Sequence, residues 1–247
     1  MFVDQKDGLS TAVVAVTPDG APVSGVKVDV ALVEVQWHSV RRAEGNGFYT
    51  WDTERKEVER GHFTVTTGTD PVPLAVPLPT GGSFTVRATA RDGAYTSSTR
   101  LPFYAIGSGY TAWARYDHNR VDLVPERETY KPGETARLMI QSPWEGATAL
   151  LTVEREGIRS HSTFALTSTQ QTVSVPITAA DIPNLFVSVV LVKGRTRADG
   201  TDSDTSDPGK PAFRVGYAKL AVEDASKRLS VTVKWPRSTS FRSVSQV

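Results

Sequence analysis

Asp199, Asp202, Asp204 and Asp207 form the densest group of potential ligand side chains in the chain. Closely spaced carboxylates on a pliable segment suit a hard cation, and calcium is the ion that such oxygens would hold. The spacing lacks the terminal Glu of an EF-hand loop, so a solvated loop kept extended by its own charge stands beside the calcium reading. The surrounding segment from Arg195 to Pro211 contains no aliphatic residue larger than Ala. It buries too little apolar surface to offset the entropy of ordering, and a long exposed loop is expected. Arg195, Arg197 and Lys210 would offer that loop to a trypsin-like protease, as exposed loops generally do.

Other chemistry is sparse. His38, His62, His118 and His161 include no pair four residues apart, so the zinc-binding His-Glu-x-x-His helix is absent. Glu154 and Glu156 would share one face of a strand, yet their spacing does not set them across a glycosidic bond. The chain has no Cys, which removes thiol nucleophiles, disulfides and thiolate metal sites together. Neither a Gly-x-Ser-x-Gly elbow nor a glycine-rich phosphate loop occurs. The reading is a non-enzyme with no catalytic residue and no cofactor. Trp37, Trp51, Trp113, Trp144 and Trp235 remain, either as core and junction packing or as a sugar-binding platform if several are exposed side by side.

The elements that position these residues are strands. The 247 residues include 31 Val and 28 Thr against 14 Leu, and β-branched side chains favour pleated sheets over helices. Two-residue alternation appears at Val26, Val28, Val30 and Leu32, at Phe84, Val86, Ala88 and Ala90, at Val173, Val175 and Ile177, and at Leu229, Val231, Val233 and Trp235. After Leu32 the apolar phase moves to Val33, Val35 and Trp37, which predicts a β-bulge in one long strand. Phe186 to Val192 is apolar at nearly every position, as in a central strand covered on both faces or one lying under a neighbouring domain. The charged run Asp52 to Arg60 reads as a solvated strand or hairpin. Helix is confined to single turns such as Ala179 to Asp181.

Turn signals at Pro18-Asp19-Gly20, Lys131-Pro132-Gly133 and Glu156-Gly157 punctuate short strands, and the class is all-β with antiparallel β-sandwiches. The weakest core-forming stretch, Ile106 to Tyr110, divides the chain into a sandwich at 1–107, a linker at 108–117, a second sandwich at 118–236 and a Ser-rich tail at 237–247. The openings of the two halves, Thr17-Pro-Asp-Gly20 and Tyr130-Lys-Pro-Gly133, loosely resemble each other. With 28 Lys+Arg against 27 Asp+Glu the formal charge is +1, which gives no electrostatic case for nucleic acid. The longest apolar stretch, Asn184 to Val192, is less than half of the ~20 residues that a membrane helix needs, so no membrane insertion is expected. No signal peptide is expected in Met1 to Asp7 either.

Tyr130-Lys-Pro-Gly-Glu-Thr-Ala-Arg-Leu-Met-Ile-Gln-Ser-Pro-Trp144 followed by Ala149-Leu-Leu-Thr-Val-Glu-Arg-Glu-Gly157 resembles the bacterial α2-macroglobulins. Ile182-Pro-Asn-Leu-Phe186 to Lys193-Gly194 and Gly209-Lys-Pro-Ala-Phe213 continue the resemblance in order, and Gly20-Ala-Pro-Val-Ser-Gly-Val-Lys-Val28, Trp37-His-Ser-Val40 and Arg87-Ala-Thr-Ala-Arg-Asp92 extend it to the first half. Together these strings span about residues 10–235. The resemblance implies two tandem macroglobulin-like sandwiches, related to immunoglobulin and fibronectin-III folds, the second of the type grouped with the bait-region domains. It further implies a scaffold segment of a bait-and-trap, broad-spectrum endopeptidase inhibitor, periplasmic or associated with the cell envelope. The implied partners are neighbouring domains of a parent chain and, through the whole protein, target proteases. The family's thioester is built on a Cys-x-Glu-Gln motif, which a chain without Cys does not carry. The alternative reading is a tandem sandwich that binds a glycan or surface protein through exposed aromatics such as Trp113 or Trp144.

Overall fold

Alternating β-branched and polar residues give strands with one apolar face, and such faces are buried by pairing sheets into layers. The computed structural model describes residues 1–44, 48–93, 95–108, 110–196 and 209–224. Among the described residues there are seventeen strands and only single turns of 3-10 helix. Two tandem β-sandwiches result.

In the first, β1 (Phe2–Asp4), β9 (Tyr95–Ile106), β8 (Gly82–Asp92), β5 (Lys27–Glu44) and β6 (Phe48–Thr66) form a five-stranded sheet in that order. The pairs β2 (Leu9–Val13) with β7 (Val72–Val76), and β3 (Ala15–Val16) with β4 (Pro22–Val23), lie against it. Leu9 and Val76 pack there on Val30, Leu32, Phe84 and Phe103. The rings of Phe84 and Phe103 stack with centroids 5.8 Å apart.

In the second, β11 (Thr129–Tyr130), β17 (Ala212–Val222), β16 (Asn184–Lys193), β13 (Thr148–Glu154) and β14 (Ile158–Ala165) form the five-stranded sheet. The sheet of β10 (Leu123–Pro125), β12 (Thr135–Ile140) and β15 (Thr172–Pro176) covers it. Leu138, Ile140 and Val175 meet Leu185, Val187, Val189 and Leu220 in this core.

The two large sheets have the same strand order, and each ends in a short strand running parallel to its neighbour, β1 beside β9 and β11 beside β17. Among the described residues all other pairings between these strands are antiparallel. The duplication is therefore topological. Its turns do not correspond as their sequences do: Thr17 to Gly20 lies between β3 and β4, whereas Lys131 to Gly133 joins β11 to β12.

Three expectations need correction. The register break at Leu32 and Val33 exists, but the extra residue is Arg60 on β6, because Leu32 pairs with Gly61 and Val33 with Glu59. Strand β5 pairs with β8 from Val28 to Val35 without interruption. The shift of apolar phase thus marks burial passing to the other face of β5. Strand β16 is central, yet the alternative of cover on both faces does not hold along its length: Leu185, Val187, Val189 and Leu191 are buried, and on the other face Ser188 is buried too, but Phe186 is 44% and Val192 51% exposed. Glu156 is not on a strand face with Glu154; it stands in the turn between β13 and β14 with a left-handed backbone (φ 57°). The expected strand at Leu229 to Trp235 and the tail at 237–247 lie outside the described residues.

Candidate functional site at the junction

Beyond Val35, β5 has no β8 partner, and β5 and β6 continue as a two-stranded arm. An isolated hairpin is marginal in water, and this one is held by the segment between the sandwiches. Arg115 donates its backbone N–H to Ser39 Oγ (3.2 Å) and accepts from Thr53 Oγ1 (2.8 Å), while the Trp51 N–H reaches Asp117 Oδ1 (3.1 Å).

The same segment is fastened to the second sandwich. The Gln170 side chain accepts from Gly107 N (3.2 Å) and donates to Gly107 O (2.9 Å), and Thr169 Oγ1 accepts from Thr111 N and donates to Thr111 O. Trp113 Nε1 donates to Thr169 O at 2.7 Å. Phe2, Trp113 and Met139 are buried together with Tyr104, Ile106 and Val124 packed around them, a small third core between the two larger ones. Arg137 on β12 bridges to Asp4 on β1 with two hydrogen bonds of 3.0 and 3.1 Å. That hydrogen-bonded ion pair holds the Asp4 carboxyl below the ordinary aspartate range and pushes Arg137 further up. Residues expected to form a simple linker are thus anchored on both sides.

Arm, linker and second sandwich together enclose a cleft of about 390 Å³. Trp37 and Trp51 line it from the arm, Trp113 from the linker and Trp144 from the loop after β12. Four of the five tryptophans therefore converge, neither wholly as core packing nor as an open platform. Trp113 is only 7% exposed, which removes it as an exposed aromatic. The Arg115 guanidinium lies over the Trp51 ring at 4.9 Å and that of Arg214, on β17, over the Trp144 ring at 5.0 Å. Asn119 to Val121 runs beside β17, with Val215 N donating to Asn119 O (2.8 Å) and Val121 N to Val215 O (3.0 Å). This pairing brings Arg120 and Arg214 to the same cleft. Burial, and then the charge of Arg115, lower the pKa of Arg214.

Of the residues singled out earlier other than the tryptophans, His118 alone among the described ones falls at the cleft. His38, His62 and His161 are exposed on separate strands, whereas His118 lines the cleft and stacks on Tyr116 at 5.0 Å. Among the described residues no group of three or more His, Asp or Glu is placed to hold a metal ion. Asp199, Asp202, Asp204, Asp207, Arg197 and Trp235 lie outside the described residues. Arg195 and Lys210 are exposed at the two ends of the β16 to β17 connection, where Thr196 N donates to Gly209 O at 3.1 Å. Arg115, Arg120, Arg214 and Gln141 were not anticipated. The run Trp113-Ala-Arg-Tyr-Asp-His-Asn-Arg120 is too rich in aromatic and basic residues for an idle linker, and that density was the available signal.

The sequence of the second half matches the family model described as "Alpha-2-macroglobulin bait region domain" over residues 121–246, and the first half that of "Bacterial macroglobulin domain 6" over residues 3–107. The chain belongs to the α2-macroglobulins. An α2-macroglobulin homolog of Nostoc sp. is 23% identical over 235 residues, covering 94% of this chain and 12% of the homolog. One from Deinococcus radiodurans is 32% identical over 140 residues, covering 56% of this chain and 14% of the homolog. The native conformation of E. coli α2-macroglobulin aligns with 95% of this chain and 14% of its own, at 19% identity and a TM-score of 0.38. The chain thus spans about an eighth of the length of the curated α2-macroglobulins it matches. Among the described residues no helix is long and apolar enough to cross a membrane.

Proposed function

We propose that this chain is a non-enzymatic scaffold segment of a bait-and-trap, broad-spectrum endopeptidase inhibitor of the periplasm or cell envelope. Its divisions are a sandwich at 1–107, a linker at 108–117, a bait-region-type sandwich at 118–236 and a tail at 237–247. Its partners are neighbouring domains of a parent chain, and proteases meet it only through the whole protein. The observation that carries the reading, beside the family match, is the outer face of the second large sheet. Leu150 is paired with Val190, Val192 with Phe213 and Ser188 with Tyr217, so these side chains share one face. Leu150, Phe186, Val192, Phe213 and Tyr217 are exposed there. Several exposed large apolar side chains on one face of a sheet mark an interaction surface, and a neighbouring domain is the partner that a segment of a much longer chain has at hand.

The segment from Arg195 to Pro211, which joins β16 to β17, is on this reading not the bait. The ladder of β16 and β17 holds both of its ends in one sheet, so a cut there leaves the sandwich closed. The test treats the full-length inhibitor with trypsin, maps the cuts and follows hydrodynamic size together with residual activity. Trapping predicts compaction, with cleavage of a large protein substrate suppressed while a small peptide substrate is still cut. Equal cleavage of both substrates would overturn the inhibitor reading. Compaction that tracks cutting at Arg195, Arg197 or Lys210 would make the loop the bait.

A further inference from the structure

We propose that the junction cleft is a binding site for a small organic oxyanion carrying at least two negative charges, and that its occupant ties the two sandwiches together. The inference stands apart from the inhibitor reading, because it is tested on the 247-residue chain alone.

Charge is the first argument. Arg115, Arg120 and Arg214 line the cleft against a single lining carboxylate, Asp122, which with His118 counted as neutral leaves 3 − 1 = +2. Among the described residues no carboxylate lies within ion-pair distance of any of the three arginines. Three guanidiniums gathered without counter-charge repel one another, and the Arg115 charge already weighs on Arg214. A dianion would convert that repulsion into charge-assisted hydrogen bonds.

Geometry is the second. A guanidinium stacked on an indole keeps its N–H edge available while its face is covered, and both Arg115 and Arg214 are held this way. Arg214 spends one nitrogen, Nη1, on Asn119 Oδ1 (3.0 Å) and Phe213 O (2.9 Å), and Arg115 has only a long contact of Nη2 with Tyr110 Oη (3.5 Å). Among the described residues nothing else takes the remaining donors of either side chain, which leaves them to a ligand.

An orphaned polar group is the third. Gln141 lines the cleft, is only 8% exposed, and its Nε2 has no hydrogen-bond partner among the described residues. A buried amide left unpaired is costly, and such groups call for an acceptor. An oxyanion supplies acceptors. The cavity volume falls within the roughly 300–1,000 Å³ of small-ligand sites. Because Trp51 and Arg115 come from arm and linker while Gln141 and Arg214 come from the second sandwich, an anion touching both sets resists their separation.

The test titrates the 247-residue chain with citrate and, separately, with inorganic phosphate, following tryptophan fluorescence at constant ionic strength set with sodium chloride. Two probes distinguish a site for organic polycarboxylates from one for phosphate groups. A saturable change with either, and a thermal midpoint that rises with its concentration, is the expected result. Arg120 is exposed, so Arg120→Glu should fold normally; it lowers the lining charge from +2 to 0, and binding should weaken about tenfold or more. Arg214→Gln should weaken it similarly. If Arg214→Gln fails to fold, Arg120→Glu still decides. No saturable signal with either probe, the same signal from chloride alone, or undiminished binding by folded Arg120→Glu would overturn the proposal.

Discussion

Replacing Trp113 tests whether the small third core is what makes two sandwiches behave as one body. Trp113 is 7% exposed, packs with Phe2 and Met139, meets the Tyr104 ring edge-on at 5.7 Å, and donates Nε1 to Thr169 O at 2.7 Å. Truncating a buried Trp to Ala typically costs about 3–5 kcal/mol, of which the aromatic pair supplies roughly 0.5–1.5. The hydrogen bond contributes about 1 kcal/mol, and Thr169 O keeps its other bond, from Ser142 N at 3.0 Å. None of this falls on the two main cores, which keep their own contacts. Trp113→Ala should therefore turn a single calorimetric unfolding transition into two, each matching one sandwich. Trp113→Phe keeps a ring against Tyr104 but loses the N–H and part of the indole's volume, so it should cost about 2–3 kcal/mol, less than Ala, and retain the single transition. Differential scanning calorimetry of the three proteins, with circular dichroism to check folding, measures both effects. The reasoning is refuted if Trp113→Ala still unfolds in one transition at an unchanged midpoint, or if Trp113→Phe is as costly as Ala.

The ion pair of Asp4 and Arg137 gives a pH signature: a carboxyl whose folded pKa is depressed adds stability above its unfolded pKa of ~3.9 and loses it as pH falls through the folded value. Arg137→Met should cost about 1 kcal/mol near neutral pH, because the pair is one-third exposed and screened, and the deficit should vanish on acidification; a deficit that persists at low pH in urea titrations refutes the ionic origin. Gly81 and Gly107 approach so closely that a Cβ on Gly107 would meet Gln5 Oε1 at 2.5 Å and Gly81 N at 2.7 Å. Gly107→Ala should thus destabilise by about 1–3 kcal/mol through overpacking, and a thermal midpoint equal to or above the wild type would contradict that contact.

Periodicity made much of the fold legible. Alternation at Phe84 to Ala90 and Val173 to Ile177 marks strands because a strand exposes every second residue to a different medium, a local property written directly in the chain. The break near Leu32 was visible too, but not which strand carried the extra residue, since Arg60 is defined as extra only by its partner across the ladder. The apolar run of β16 likewise reported two apolar faces without choosing between its two readings, and the exposure of Phe186 and Val192 is decided by what packs on each face.

The cleft lay beyond such reading. Trp37, Trp51, Trp113 and Trp144 are scattered in sequence, and each fits equally well as core or surface until strand order brings them together. Arg214 acquires its meaning from the Trp144 ring beneath it and from the charge of Arg115 acting on it, a placement set by the pairing of Asn119 to Val121 with β17. The sequence by itself determined the strands, the all-β class and the family, because those depend on side-chain period and short strings. Only the tertiary structure decided the clamped linker, the converging tryptophans and the uncompensated arginines, because charge repulsion and burial depend on distance in space, which residue order along the chain does not specify.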